Sequence, residues 1–202
     1  MVILEVVGWF VLSCVLMSFI EHQVHSRLMH RKNYLSEHTT VFNRIFESHA
    51  MVHHGHYSSQ YTDEPVPAGE DKEIRLNPGR GIIKALPFAL AIAVLSRVGA
   101  VVFILTVVFH HWTWNKIHLE MHKPEGRGFS KWPIYKFLAR YHYLHHCHPG
   151  KNFNVVFPLA DYVLGTQSRP ATIKETEAMQ ALGLYLSGAA QKETAKAIAQ
   201  VK

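Results

Sequence analysis

The chain begins with a long apolar block, and polar residues follow it in helical register. Residues 2–20 carry one charge, Glu5. At 1.5 Å per residue this block would span about 28 Å, close to the thickness of the hydrocarbon layer. A cleaved signal peptide needs a basic residue before the block and a small-residue cleavage site after it. The sequence shows neither, so we expect a membrane anchor whose helix runs on past Glu21.

A second apolar block covers residues 85–109 and has Arg97 as its one charge. As a single helix it would bury Arg97 near the middle of the bilayer, at a cost of about 2.5–3.5 kcal/mol. As a hairpin it would form one helix over 81–96 and a second from 98 into the 118–122 region, with Arg97 and Gly99 in the turn. The first arm, roughly 24 Å long, is short for a complete span.

The basic residues favour the hairpin. With the amino terminus outside, all of the 21 Lys and Arg residues except Arg97 fall on one side of the membrane, as the positive-inside rule requires. A single central helix would divide them between the two sides. We therefore expect a multi-pass membrane protein, of the bacterial inner membrane rather than the endoplasmic reticulum, with all its histidines on the cytosolic side.

The rest of the chain also reads as helices and connectors. Residues 57–80 contain Pro, Gly and acidic residues typical of a solvated loop. Residues 132–148 form an amphipathic pattern in which Trp132, Tyr135 and Phe137 suit a membrane interface. The Ala-, Lys- and Glu-rich tail has helical character. The predicted fold is an all-α membrane bundle, with a catalytic domain over 1–168 and a helical tail over 169–202.

The amino-acid composition limits the kinds of binding site that the chain can form. Of 202 residues, 48% are hydrophobic and 18% charged, below the roughly 25% charged residues of soluble domains. Two cysteines exclude a disulfide framework and a four-cysteine zinc site. The net charge of +6 comes from basic residues that flank the apolar blocks, so we do not expect nucleic-acid binding. The 16 histidines outnumber the 15 acidic residues, and histidine is the commonest metal ligand.

Ten of these histidines form four spaced clusters. Histidines four apart share one face of an α-helix and can bind one ion, whereas adjacent histidines can each reach a different ion. Histidines five apart lie some 140° apart on an ideal helix, so they need a bend or separate metals. The clusters therefore predict two metal ions. They are His25 and His30; His49, His53 and His54; His118 and His122; and His142, His145 and His146.

The number of imidazoles bears on which metal is bound. Imidazole ligation suits zinc, copper, iron and nickel. A structural zinc takes four ligands, so ten histidines fit two ions of higher coordination number better. Iron is the metal that would give such a site oxygen chemistry.

The spacing of these clusters resembles that of the fatty acid hydroxylase and sterol desaturase superfamily of membrane di-iron oxidases. The family pattern is HX3–4H, HX2–3HH, HX3H and HX2HH, and the four clusters match it in order. The segment Asn152-Phe153-Asn154 and the segment from Asp161 to Thr166 are similar to the family's ending after the last box. The resemblance covers roughly residues 1–168.

The resemblance implies an enzyme that hydroxylates or desaturates a C–H bond of a lipid (fatty acyl, sterol or carotenoid) with O₂. The ten histidines would be its metal ligands and catalytic residues, and the cofactor would be two Fe ions, with Zn possible in purified protein. Electrons would come from a separate donor of the cytochrome b5, ferredoxin or reductase type. The alternatives are a di-metal zinc hydrolase and a divalent-metal binding or transport protein.

Groups around the ligands are expected to orient them, because metal-bound histidines usually donate their second ring N–H to a carboxylate or carbonyl. Glu21, Glu47, Glu120, Asn154 and Asp161 are the nearby candidates. The resemblance favours Asp161, with Asn154 beside it, and a helix-cap or turn role for Asp161 is the alternative. We expect second-sphere or interfacial roles for His22, His38, His56, His110, His111 and His148.

Overall fold

The computed structural model describes residues 2–58, 60–64 and 75–186. Every regular element in these ranges is helical, as predicted. The elements are α1 (Val2–Gln23), π1 (Val24–Met29), α2 (Tyr34–His38), α3 (Thr40–Phe46), π2 (Glu47–His53), α4 (His54–Tyr57), α5 (Pro78–Leu95), α6 (Arg97–His122), a 3₁₀ turn (Gly128–Lys131), α7 (Pro133–Cys147), α8 (Leu159–Leu164) and α9 (Ile173–Ala181).

The predicted hairpin is confirmed, with a tighter turn than expected. Ser96 alone separates α5 from α6, and Arg97 is already the first residue of α6 rather than part of a turn. Ser96 has an extended backbone, and its hydroxyl accepts a hydrogen bond from the Gly99 N–H at 2.9 Å. This N-cap starts α6 at once, so no longer loop is needed.

Helices α1, α5 and α6 pack together. The Ser96 hydroxyl donates to a Glu5 carboxylate oxygen at 2.7 Å, so α1 and α6 begin at the same end of the molecule and run parallel. A small apolar core joins the three helices through Met17, Ala85, Ala89, Phe103 and Val107. The far ends of α1 and α6 therefore lie side by side, and both carry histidines.

Two of the described helices are long and apolar enough to cross a membrane. They are the continuous helix Val2–Met29 and α6, and much of their apolar surface is exposed. Helix α5 is not in this class among the described residues. Helix α5 has 18 residues, two more than the arm predicted over 81–96.

The remaining helices cover the histidine-bearing end. Helix α7 matches the amphipathic segment predicted over 132–148. Tyr135, predicted at a membrane interface, is instead buried against Phe129 in a second core; the prediction was wrong because this face of α7 packs on α6. Helix α9 confirms part of the predicted helical tail. Residues 187–202 of that tail, and residues 65–74 of the predicted connector, lie outside the described residues.

Candidate metal centre

Two π-helical segments arrange the histidines spaced five apart. In π1 and its cap, the His30 N–H donates to the His25 carbonyl at 3.2 Å. In π2 and its cap, the His54 N–H donates to the His49 carbonyl in the same way. An i→i+5 hydrogen bond closes a wider turn than that of an α-helix. Residues five apart therefore return to the same face, which removes the 140° offset expected on an ideal α-helix.

These two pairs meet His145 of α7 to form the first histidine group. Their Nε2 atoms approach one another closely: 2.8 Å for His25 and His49, 3.2 Å for His49 and His30, and 3.1 Å for His145 and His54. The His30 and His145 Nε2 atoms are 3.0 Å apart. Five ligand atoms thus lie within 4.8 Å of one another.

The second histidine group is built mainly on α-helices. His118 and His122 lie one turn apart on α6, and the His122 Nε2 atom is 3.0 Å from that of His142 on α7. His53 completes the group. Because His53 and His54 are adjacent, their rings diverge, and each belongs to a different group as the sequence predicted.

His146 lies where the two groups meet. Its Nε2 atom is 3.1 Å from that of His142, and its ring stacks on His54 with centroids 4.3 Å apart. His53, His54 and His146 form a third set whose ligand atoms also lie within 4.8 Å. The ten histidines singled out from the sequence therefore come together, nine of them in two adjoining groups and His146 in the set that joins the groups. Their role as ligands stays a prediction.

The spacing and burial of these nitrogens fit metal binding. Imidazole–metal bonds of about 2.0–2.1 Å place neighbouring ligand atoms roughly 3 Å apart when they subtend 90°, which is the spacing seen here. His53 is 1% exposed, and neither of its ring nitrogens has a hydrogen-bond partner among the described residues. The Nδ1 atoms of His54, His142 and His146 are also buried without one. Buried nitrogens without partners are costly, and a bound ion would satisfy those that face it.

The imidazoles are held in the neutral form. Burial lowers the pKa of His30 to about 4. Burial first, and then the charge of neighbouring imidazoles, holds the pKa of His49, His142 and His145 well below the ordinary value. At neutral pH these rings keep the nitrogen lone pair that a metal ion requires.

Backbone carbonyls orient three of the rings. The His25 Nδ1–H donates to the Phe153 carbonyl, that of His122 to the Tyr61 carbonyl at 2.8 Å, and that of His145 to the Lys151 carbonyl at 2.7 Å. Because a carbonyl can only accept, each Nδ1 must carry the proton. The Nε2 lone pair then faces the centre of its group, which is the second-sphere arrangement common at metal sites.

Asp161 acts on this arrangement through the backbone. It is fully buried and accepts hydrogen bonds from the Phe153 N–H at 3.0 Å, the Asn154 N–H at 2.7 Å and the Thr166 hydroxyl at 2.6 Å. The expected bond from Asp161 to a box histidine is not among the described contacts. Asp161 instead fixes residues 153–154, whose carbonyl orients His25.

Glu21 holds the same segment from α1. Its carboxylate accepts from the Val155 N–H at 2.8 Å, from the Asn154 side-chain amide at 3.2 Å and from His110. Asn154 thus also supports the site indirectly, through Glu21 and Ser18. Glu47 is exposed, and Glu120 is engaged by Arg127 and the backbone that precedes it.

The histidines outside the boxes have partners elsewhere, which agrees with their expected supporting or surface positions. None of them joins a histidine group among the described residues. The contacts are His22 with Thr166, His38 with the Tyr34 carbonyl, His56 with Asp63, His110 with Glu21, His111 with the Val107 carbonyl, and His148 with Glu175.

Two tyrosines beside the second histidine group were not predicted. The Tyr57 ring lies 4.1 Å from that of His122, centroid to centroid, and the Tyr61 ring lies 5.0 Å away. Both line a cleft of about 320 Å³ that reaches His146 and is closed on its other side by α9. The i, i+4 spacing of the two tyrosines was the available signal, but it falls where α4 gives way to irregular chain.

Comparisons of the chain with protein-family models, with curated proteins and with solved structures find no match. The superfamily resemblance therefore rests on the four boxes and the segments that follow the last of them. The geometry establishes a site at which buried histidine groups could hold metal; the identity of the metal is a separate question.

Proposed function

We propose that the protein is a membrane di-iron oxygenase of the fatty acid hydroxylase and sterol desaturase type, which hydroxylates or desaturates a lipid. The observation that carries the proposal is the pair of adjoining, buried, all-histidine groups at the ends of two apolar helices. Iron bound there would supply O₂-dependent oxidation of an unactivated C–H bond, with electrons from a separate donor.

The chain's own residues suit this task. Neutral Nε2 atoms converge in each group, and carbonyls fix the tautomers of His25, His122 and His145. Nine of the ten histidines are buried, and His30 is partly buried. The cleft beside Tyr57 and Tyr61 offers a route for substrate or oxygen to reach His146.

The location of the histidines disfavours a transport function. A transport pathway would place polar ligands near the middle of the membrane. In α6 the ligands come at its last turns, His118 and His122, and His25 follows the main apolar stretch of α1. The location of the histidines does not argue against the zinc hydrolase, so an experiment has to distinguish the hydrolase from the oxygenase.

Metal analysis and isotope labelling provide that test. Protein made with iron available should hold two iron atoms per chain, and ¹⁸O₂ supplied with a reductase system should place label in a hydroxylated lipid. His118→Ala should lose metal and turnover together, whereas the exposed His38→Ala should retain both. Activity without oxygen or reductant, or label drawn from water alone, would establish the hydrolase instead.

A labelling experiment tests the proposed topology. In a chain whose native Cys14 and Cys147 are replaced by serine, cysteines introduced at the exposed Lys32 and Lys174 should react with an impermeant reagent from the same, cytosolic, side of the membrane. A cysteine at Arg97 should react from the opposite side, since Arg97 begins α6 at the other end of the hairpin. Labelling of all three from one side would contradict a membrane-spanning hairpin.

A further inference from the structure

Helix α8 and the turn before it leave an apolar face uncovered. Phe157, Tyr162, Val163 and Leu164 are all exposed, and Val163 is the most exposed of them at 62%. The one charged residue between 152 and 168 is Asp161. Because Asp161 is fully buried and satisfied by three hydrogen bonds, this stretch presents no charge to its surroundings.

The position of α8 beside α1 suggests what covers this face. The Ser18 hydroxyl donates to the Phe157 carbonyl at 2.6 Å and accepts from the Ala160 N–H at 2.9 Å. The Thr166 hydroxyl lies 2.9 Å from the His22 Nε2 atom. Helix α8 therefore lies alongside residues 18–22 of α1, within the candidate membrane span Val2–Met29.

The charged residues of α1 indicate how deep in the bilayer the contact between Ser18 and α8 would lie. After Glu21, which is buried and hydrogen-bonded, the next charged residue on α1 and π1 is the exposed Arg27. Ser18 lies nine residues before Arg27, roughly 13 Å along a helix. If Arg27 marks the headgroups, the Ser18 contact lies at the depth of the upper acyl chains.

We propose that α8 is embedded in the leaflet on the histidine side of the bilayer, with its exposed apolar face against the lipid acyl chains. The inference rests on the proposed membrane location of the protein. Short apolar faces bury themselves at the boundary of headgroups and acyl chains in this way. No residue of α1 is exposed over 13–22, where α8 lies against Ser18, so the exposed face of α8 takes the place of the apolar surface that α1 shows over residues 2–12.

This embedding would tie the bilayer to the metal centre. Asp161 lies on the inner side of α8 and holds residues 153–154, and the Phe153 carbonyl orients His25. A lipid layer against Tyr162 and Val163 keeps α8 seated on α1. The metal-binding end of the molecule would thus be anchored at a fixed depth by α8 as well as by the spanning helices.

Photo-crosslinking in the full-length chain tests the proposal without removal of native cysteines. Benzoylphenylalanine is placed at Tyr162, an aromatic replacement at an exposed position, and separately at Val163. The protein is reconstituted in vesicles of phosphatidylethanolamine and phosphatidylglycerol and irradiated. Matched positions are Leu105, exposed on the candidate span α6, and Glu177, exposed on α9.

We expect the chains with probes at 162, 163 and 105 to gain the mass of one phospholipid, and the chain with the probe at 177 to gain none. Adducts at 105 but not at 162 or 163 would overturn the embedding of α8 and leave the membrane proposal intact. Crosslinks from 162 or 163 to a second protein chain would also overturn it. If the probe at 105 gains no lipid, the membrane proposal itself is contradicted, and the embedding of α8 falls with it.

Discussion

Replacement of Asp161 by alanine tests how the site is supported, because this residue contacts the backbone around the metal centre rather than the proposed ligands. The wild-type carboxylate accepts hydrogen bonds from the N–H groups of Phe153 and Asn154 and from the Thr166 hydroxyl. Asp161→Ala removes the acceptor for all three at a fully buried position. The Thr166 hydroxyl keeps its contact with the His22 Nε2 atom, 2.9 Å away, whereas the two N–H groups lose the side-chain acceptor that the described residues give them.

The structure sets the size of the expected effect. A buried donor left without a partner costs about 1–3 kcal/mol, so the two N–H groups together lower the free energy of unfolding by about 2–6 kcal/mol. The Phe153 carbonyl then no longer holds the His25 Nδ1–H in place. Loss of such a second-sphere contact typically weakens metal binding about 10–100-fold.

The free energy of unfolding and the metal affinity can be measured on the same preparations. Denaturant unfolding in mixed micelles, followed by circular dichroism, gives the stability of the metal-free protein, and competition with a chelator gives the metal affinity. Asp63→Ala is the matched control, because Asp63 also lies beside a histidine, His56, but is only partly buried. We expect Asp63→Ala to behave like the wild type in both assays. Equal values for Asp161→Ala and Asp63→Ala would refute the role assigned to the 153–154 segment.

Two further substitutions test the histidine groups and the packing of the helices above them. His53→Ala should lower metal content more than the exposed His38→Ala, since His53 belongs to the second group and to the set that joins the two groups; equal metal content would contradict the grouping. Gly99→Ala should lower stability by about 1–3 kcal/mol, because an added Cβ would lie 2.4 Å from the Trp9 ring. Gly8→Ala, with nothing within 4 Å, controls for the helix propensity of alanine, and equal melting temperatures for the two would refute this packing.

The helices and the turn of the hairpin could be predicted because local signals agree there. The apolar blocks, the lone charge at Arg97 and the spacing of the later histidines all indicate helices of the observed lengths. The break fell one residue earlier than expected, since a Ser96 side chain that caps the next helix replaces a longer loop. A serine that caps a helix can be recognised in a sequence, but the apolar residues on both sides of Ser96 obscure its role as a cap.

The π-helices could not be predicted from spacing alone. His25 and His30 lie too far apart on an ideal α-helix, which left a bend and separate metals as equal alternatives. In the structure the helix widens locally into a π-helix between His25 and His30, and it does so again between His49 and His54. The widening brings four rings to one centre with His145, and this tertiary arrangement is one that no local propensity reports.

The groups that orient the ligands were also missed for a tertiary reason. A carboxylate was expected beside a ligand because Asp161 fits the family ending. The described contacts use the carbonyls of Tyr61, Lys151 and Phe153, which fold back onto the rings from connecting segments. A carbonyl can accept the Nδ1 proton without placing a second buried charge beside the site. The sequence alone gives no sign of which connecting segment returns to which ring.

The expected depth of the site in a membrane follows from α6, which carries both an exposed apolar surface and two of the proposed ligands. Helix α6 begins at Arg97, and His118 comes 21 residues later, roughly 32 Å along the axis. That rise equals the hydrocarbon thickness of a bilayer, about 30 Å, so in a spanning α6 the ligands begin where the acyl chains end. The proposed metals cannot lie deeper in the hydrocarbon than their imidazoles reach. For the proposed lipid oxidation, we therefore expect the reacting carbon to lie near the headgroup or ring end of a lipid, and a substrate whose reactive carbon sits at the middle of the bilayer would have to leave that depth before it could react.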